Sequence, residues 1–180
     1  MPRPAAWLTT ALALACANTA YLSWRYLAVR HGWADPGTGW CSWTAHVDCD
    51  RVLQAKEARV LWVPNALLGL AFFAPCLGGW LHACRSGEAA RAFALDVLTV
   101  LLGFASVLAL GFLVLMAQLD ALCPLCPWNH LLTWVAFGAA LRARSRLPQG
   151  TSRKALRGTI AACAALGLAV LAAWALFSGR

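Results

Sequence analysis

Long apolar runs separated by short polar gaps set the pattern of this chain. Five runs reach the roughly 20 helical residues needed to cross a hydrocarbon layer. They extend over about Ala5 to Val29, Leu61 to Cys84, Ala92 to Leu119, Cys123 to Leu141 and Thr159 to Phe177. The first meets its only charge, Arg25, near its end; the second has no Lys, Arg, Asp or Glu; Asp96 lies near the start of the third. Lipid offers no partner to an open amide, so each run is expected to be α-helical. The first run continues through Tyr21, Leu22 and Trp24, too long and bulky for a cleaved signal segment, and is expected to stay as a helix.

Composition points the same way. Of the 180 residues, 61% are hydrophobic and 12% charged, against roughly 45–50% and about a quarter in soluble domains. A water-soluble fold of this size has no means of hiding that much apolar surface. The ten tryptophans suit a bilayer, whose headgroup boundary favours the indole ring. The net charge of +8 does not indicate nucleic acid, because the basic residues occupy the gaps between apolar runs.

Those gaps orient the chain. Between the fourth and fifth runs lie Arg142, Arg144, Arg146, Arg153, Lys154 and Arg157; Arg3 precedes the first run, and Arg85 and Arg91 flank the gap between the second and third. If all five runs cross, these segments share one side, which the basic bias makes cytoplasmic. The opposite side receives the long loop 30–60, where Arg30, Arg51, Lys56 and Arg59 are balanced by Asp35, Asp48, Asp50 and Glu57.

Of eight cysteines, four fall on the outer side. Cys41 and Cys49 lie in the long loop, while Cys123 and Cys126 form a Cys-Pro-Leu-Cys motif at the mouth of the fourth run. Cys16, Cys76, Cys84 and Cys163 sit in or at the ends of runs, where packing is the expected role. Two residues between cysteines let both sulfurs meet across one turn. A helix start stabilises a thiolate, and Pro127 suits a first helical turn, so Cys126 is expected near the positive helix end with a lowered pKa. The alternative for the four sulfurs is one tetrahedral zinc site. Cys41 and Cys49 read either as a static loop disulfide or as an exchangeable pair brought to the CxxC by a loop hinged at Gly32, Gly37 and Gly39.

A loop pair with seven intervening residues, then a run containing Asn65, then CxxC opening a later run, resembles the vitamin K epoxide reductase family over about Cys41 to Leu141. Another bacterial class of disulfide-forming quinone reductases carries these pairs in the reverse order. The resemblance implies an all-α integral membrane fold, a four-helix transmembrane bundle around a quinone site, here followed by a fifth transmembrane helix. It implies a catalytic portion over 1–142, with the outer loop 30–60, and a basic cytoplasmic loop and last helix over 143–180. It also implies a relay: Cys126 next to the quinone, Cys123 its disulfide partner, Cys49 attacking Cys123, and Cys41 resolving that bond and exchanging with an outside redox protein.

Asn65, in Pro64-Asn65-Ala66-Leu67-Leu68-Gly69, resembles the family asparagine that hydrogen-bonds a quinone carbonyl; a helix–helix hydrogen bond is the alternative. Two positions depart from the family. Ala55 stands where a serine is frequent, and His130 where the vertebrate enzymes have a quinone-contacting tyrosine. His130 lies one helical turn from Cys126, placed to hydrogen-bond a quinone oxygen or deliver a proton, or else to make interfacial helix contacts. These departures bear on epoxide reduction more than on the cysteine chemistry.

The expected activity is therefore a membrane thiol–quinone oxidoreductase, with quinone as electron acceptor and no resident metal. Its partners are a lipid-soluble quinone, a separate thioredoxin-like redox protein and the bilayer, but no nucleic acid. The expected location is a bacterial inner membrane with both cysteine pairs on the periplasmic side. A soft-metal transporter and a non-catalytic membrane scaffold with a structural loop disulfide are the rival classes.

Overall fold

The computed structural model describes residues 3–44, 46–60, 62–119 and 121–146. The expected fifth helix, Cys163, Arg153, Lys154, Arg157 and Asp120 lie outside the described residues.

Four long helices make a closed ring. They are α1 (Arg3–Arg30), α3 (Asn65–Ser86), α4 (Glu88–Met116) and α5 (Leu125–Arg144); a short α2 (Cys49–Gln54) lies in the loop after α1. Helix α1 packs on α3 and α5, and α4 packs on the same two. Neighbours in sequence are thus neighbours in space, as in an up-and-down bundle. Among the described residues α1, α3 and α4 are long and apolar enough to cross a membrane. Helix α5 is the expected fourth span; Asn129 and His130 make its first turns polar.

Two helix starts differ from the apolar pattern. Helix α3 begins at Asn65, four residues after Leu61, because Val63–Pro64 (β2) pairs antiparallel with Arg59–Val60 (β1) in a small hairpin. The extended Pro64 (φ −59°, ψ 134°) marks the change from strand to helix. Asn65 therefore opens a helix instead of lying inside one. Helix α4 begins at Glu88, four residues before Ala92, because a single residue, Gly87, turns the chain. Its φ of 107° is open to glycine and costly for a side chain.

Small residues let the helices approach. A Cβ on Gly69 would lie 2.8 Å from Thr19 Cγ2, so α1 and α3 can pack here only with glycine at that position. Leu8, Leu12, Trp80, Leu98, Leu102, Ala136 and Ala140 fill one core cluster. The buried indole of Trp80 donates to Thr9 Oγ1 at 2.8 Å, so its polar atom is satisfied. Asp96 forms an ion pair with Arg144 between α4 and α5. A second cluster, at the other end of the bundle, packs Leu22, Tyr26, Val52, Leu53 and Ala66 around Cys41, Cys49 and Cys123.

Candidate active site

The loop that carries the first cysteine pair is held to the bundle at several points. Asp48 caps α2: its Oδ1 accepts from the amides of Asp50 (2.9 Å) and Arg51 (3.3 Å) and from Ser42 Oγ (2.5 Å). Cys49 is the first residue of that helix. Asp50, next along, is 1% exposed and pairs with Arg25, 4% exposed, from α1. Arg25 Nε donates to Asp50 Oδ1 at 3.0 Å, Nη2 donates to Oδ2, and the Gly37 amide reaches Oδ2 at 3.0 Å. Arg25 Nη2 also donates to Asp35 O (3.3 Å) and Thr38 Oγ1 (3.4 Å). Gly39 packs against this pair: a Cβ there would lie 3.2 Å from Arg25 Nε and 3.3 Å from Asp50 Oδ2. Gln54 Nε2 adds a bond to Tyr26 O at 3.2 Å.

A further set of bonds brings the loop to the CxxC. Val47 bridges Leu122, the Asp48 amide donates to Leu122 O (3.0 Å), and the Leu122 amide donates to His46 O (2.8 Å). The residue before Cys123 is thereby fixed to the residues before Cys49.

All four outer sulfurs meet as a result. Cys41 and Cys49 form a disulfide, with Cα atoms 5.8 Å apart. The Cys123 thiol lies 3.2 Å from Cys49 Sγ, and all three of these residues are fully buried. Cys123 and Cys126 are both free thiols and hydrogen-bond to each other. The Cys41–Cys49 bond leaves two of the four sulfurs without a thiolate to offer a zinc ion.

The amide donors at the start of α5 fall on Cys123, not on Cys126. Helix α5 starts at Leu125, and Cys123 lies in the loop ahead of it. Its thiol is held below the ordinary cysteine range first by the hydrogen bond from Cys126, then by the amides of Cys126 and Leu125. Burial and the charge of Asp50 oppose this. Pro127 falls at the third helical residue, still in the first turn, where a missing amide costs nothing.

Cys126, besides its bond to Cys123, lines a cavity of about 360 Å³. The cavity lies among α1, α3, α4, α5 and the loop, and Asn65, Cys126, Asn129 and His130 supply polar groups to walls made mostly of apolar side chains such as Phe104 and Phe112. The His130 ring stacks parallel to Phe112 with centroids 6.0 Å apart. Asn65 Oδ1 is buried and has no hydrogen-bond partner among the described residues. A buried amide oxygen in that condition is costly unless a ligand takes it up. Ala55 ends α2, and its amide donates to Val52 O at 3.2 Å.

The six residues singled out from sequence thus form one continuous arrangement, from Cys41 through Cys49, Cys123 and Cys126 to Asn65 and His130. Sequence reasoning passed over Arg25 and Asp50. Their available signal was a lone arginine within an otherwise uncharged run and an aspartate directly after a loop cysteine. It also passed over Asn129, which shares a helical face with Cys126 at three residues' spacing.

No curated protein matches the chain. The profile of the vitamin K epoxide reductase family does match, over residues 6–141. That match spans α1 to α5 and every residue of the site just described, in a chain whose helices α1, α3 and α4 suit a bilayer. The chain belongs to the vitamin K epoxide reductase family, and is an integral membrane oxidoreductase.

Proposed function

We propose that this protein oxidises the dithiol of a thioredoxin-like partner and passes the electrons to a membrane quinone. One observation carries the reading: the four sulfurs are contiguous, with Cys49 Sγ 3.2 Å from Cys123 Sγ, and the last of them opens into an apolar cavity. Thiol–disulfide exchange needs a thiolate next to a disulfide sulfur, and quinones need an apolar pocket with a few polar anchors.

The electrons balance as follows. A partner dithiol cleaves Cys41–Cys49 and leaves as a disulfide, so two electrons enter. Cys49 thiolate attacks Cys123 of a Cys123–Cys126 disulfide and releases Cys126 thiolate. Cys41 thiolate then attacks Cys49, which restores Cys41–Cys49 and frees Cys123. Cys123 and Cys126 next give two electrons and two protons to the quinone, yielding quinol and their own disulfide. A Cys41–Cys49 disulfide beside two free thiols at Cys123 and Cys126 corresponds to the stage ready to reduce quinone.

Within the cavity, the Asn65 amide donates to a quinone carbonyl and its Oδ1 accepts from the quinol hydroxyl. His130 borders the developing quinol oxygen. The site faces the extracytoplasmic side, which in a bacterial inner membrane is the periplasm, because the basic gaps lie opposite.

The test mixes purified protein with quinone and a reduced thioredoxin-fold protein and follows quinone absorbance. Quinone should be consumed, and Cys126→Ser should stop consumption. Removing Cys41 or Cys126 should accumulate a Cys49–Cys123 bond on non-reducing gels. Full activity in Cys126→Ser would sink the relay.

A further inference from the structure

The cavity holds one polar side chain whose direction is set by a residue outside it. Asn18 of α1 donates from Nδ2 to Leu125 O at 3.0 Å. A carbonyl accepts only, so this bond settles which end of the Asn18 amide is the nitrogen. The same Nδ2 lies 3.3 Å from Asn129 Oδ1. Only the oxygen of Asn129 can accept there, so its NH2 group is turned away from Asn18. The backbone carbonyl of Asn129 is taken by Thr133 Oγ1 at 2.9 Å. Among the described residues no protein group takes the two hydrogens of Asn129 Nδ2, and Asn129 lines the cavity together with Cys126 and His130.

Residues 126, 129 and 130 share one helical face by their spacing. The NH2 of Asn129 therefore belongs to the wall that carries the Cys126 thiol, while Asn65 stands on another helix, α3. A quinone is a flat ring with oxygen acceptors at its two ends. Its reduction builds negative charge on those oxygens, which a fixed amide donor stabilises more than it stabilises the neutral ring.

We infer that Asn129, oriented by Asn18, is a second amide donor to the quinone, binding the carbonyl on the Cys126 side of the cavity. Asn129 contacts the substrate; Asn18 is a positioning residue that acts through it. The inference rests on the quinone reading above and adds to it a residue pair that sets affinity for a two-carbonyl ring.

The experiment uses the full-length protein in detergent with a short-chain benzoquinone. Binding is followed by quenching of tryptophan fluorescence, and turnover by quinone absorbance with a reduced thioredoxin-fold protein. Asn129→Leu keeps the size and removes the donor; it should weaken quinone binding about tenfold, the usual loss for one hydrogen bond. Asn18→Leu leaves Asn129 in place but free to rotate, and should weaken binding by a smaller factor. In both variants, the accumulation of a Cys49–Cys123 bond after Cys126 is replaced by serine should proceed as it does with Asn18 and Asn129 intact, because Cys123 thiolate then attacks Cys49 of the Cys41–Cys49 disulfide and releases Cys41 thiolate, a step that needs no quinone.

Unchanged quinone affinity in Asn129→Leu overturns this inference while leaving the relay standing. Parallel loss of quinone binding and of cysteine exchange also overturns it, since that is the signature of helix-packing damage between α1 and α5. If the unmodified protein fails to bind or reduce the quinone, the reading beneath it falls as well.

Discussion

Removing the Arg25 guanidinium tests how the outer loop is held over the bundle. In Arg25→Met, Asp50 keeps a carboxylate that is 1% exposed and retains one donor, the Gly37 amide at 3.0 Å. Breaking a buried ion pair from one side costs about 3–5 kcal/mol, because the remaining charge is neither paired nor hydrated. At roughly 2–4 °C per kcal/mol for a domain of this size, the midpoint should fall by about 6–20 °C. Replacing both partners, as Arg25→Met with Asp50→Leu, should recover most of the loss, since a well-packed apolar pair matches a buried ion pair in stability. Gly37 is exposed, so its amide can turn to water in the double variant.

The assay is thermal unfolding in detergent, followed by near-ultraviolet circular dichroism, for the parent, each single variant and the double variant. The same samples, with Cys126 replaced by serine, should show a lower yield of the Cys49–Cys123 bond formed when Cys123 attacks the Cys41–Cys49 disulfide in Arg25→Met, because α2 is no longer held beside Cys123. An Arg25→Met protein as stable as the parent would refute the reasoning. So would a double variant no better than the single.

Four further outcomes follow from the same geometry. Cys123 is held below the ordinary cysteine range, so its attack on Cys49 of the Cys41–Cys49 disulfide, the relay's exchange run in reverse and read by acid quench of the Cys49–Cys123 bond, should slow as pH falls through that lowered pKa and reach its plateau at a lower pH than a free cysteine would. In Asp50→Asn, which removes a charge opposing the thiolate, this limb should move further toward acid; a shift toward alkali would contradict the assignment. Gly69→Leu places atoms where Thr19 Cγ2 already sits 2.8 Å from a Cβ, and should cost about 1–3 kcal/mol or more in unfolding measurements, with quinone binding reduced because Gly69 lines the cavity. Gly87→Val should destabilise the α3–α4 turn by about 1–3 kcal/mol, with cysteine exchange and quinone affinity unaltered, because only the backbone at φ 107°, ψ −175° is strained.

The four long helices of the described residues and the CxxC were legible in the sequence because each follows from a local rule. An apolar run must be helical in lipid whatever its neighbours, and CxxC places two sulfurs together within one turn. Helix boundaries were legible only to about four residues: Leu61 belongs to the apolar run, yet the β1–β2 hairpin delays α3 to Asn65. Nothing local marks such a hairpin inside a hydrophobic stretch.

What the sequence determined alone is the membrane setting, the helical runs and the supply of four cysteines in two pairs. What only the tertiary structure decided is which atoms meet. Arg25 and Asp50 are 25 residues apart, Cys49 and Cys123 are 74 apart, and Asn18 and Asn129 are 111 apart. Contacts at such separations depend on how whole helices pack, and no local periodicity encodes them. The same packing closes the cavity that Cys126 lines.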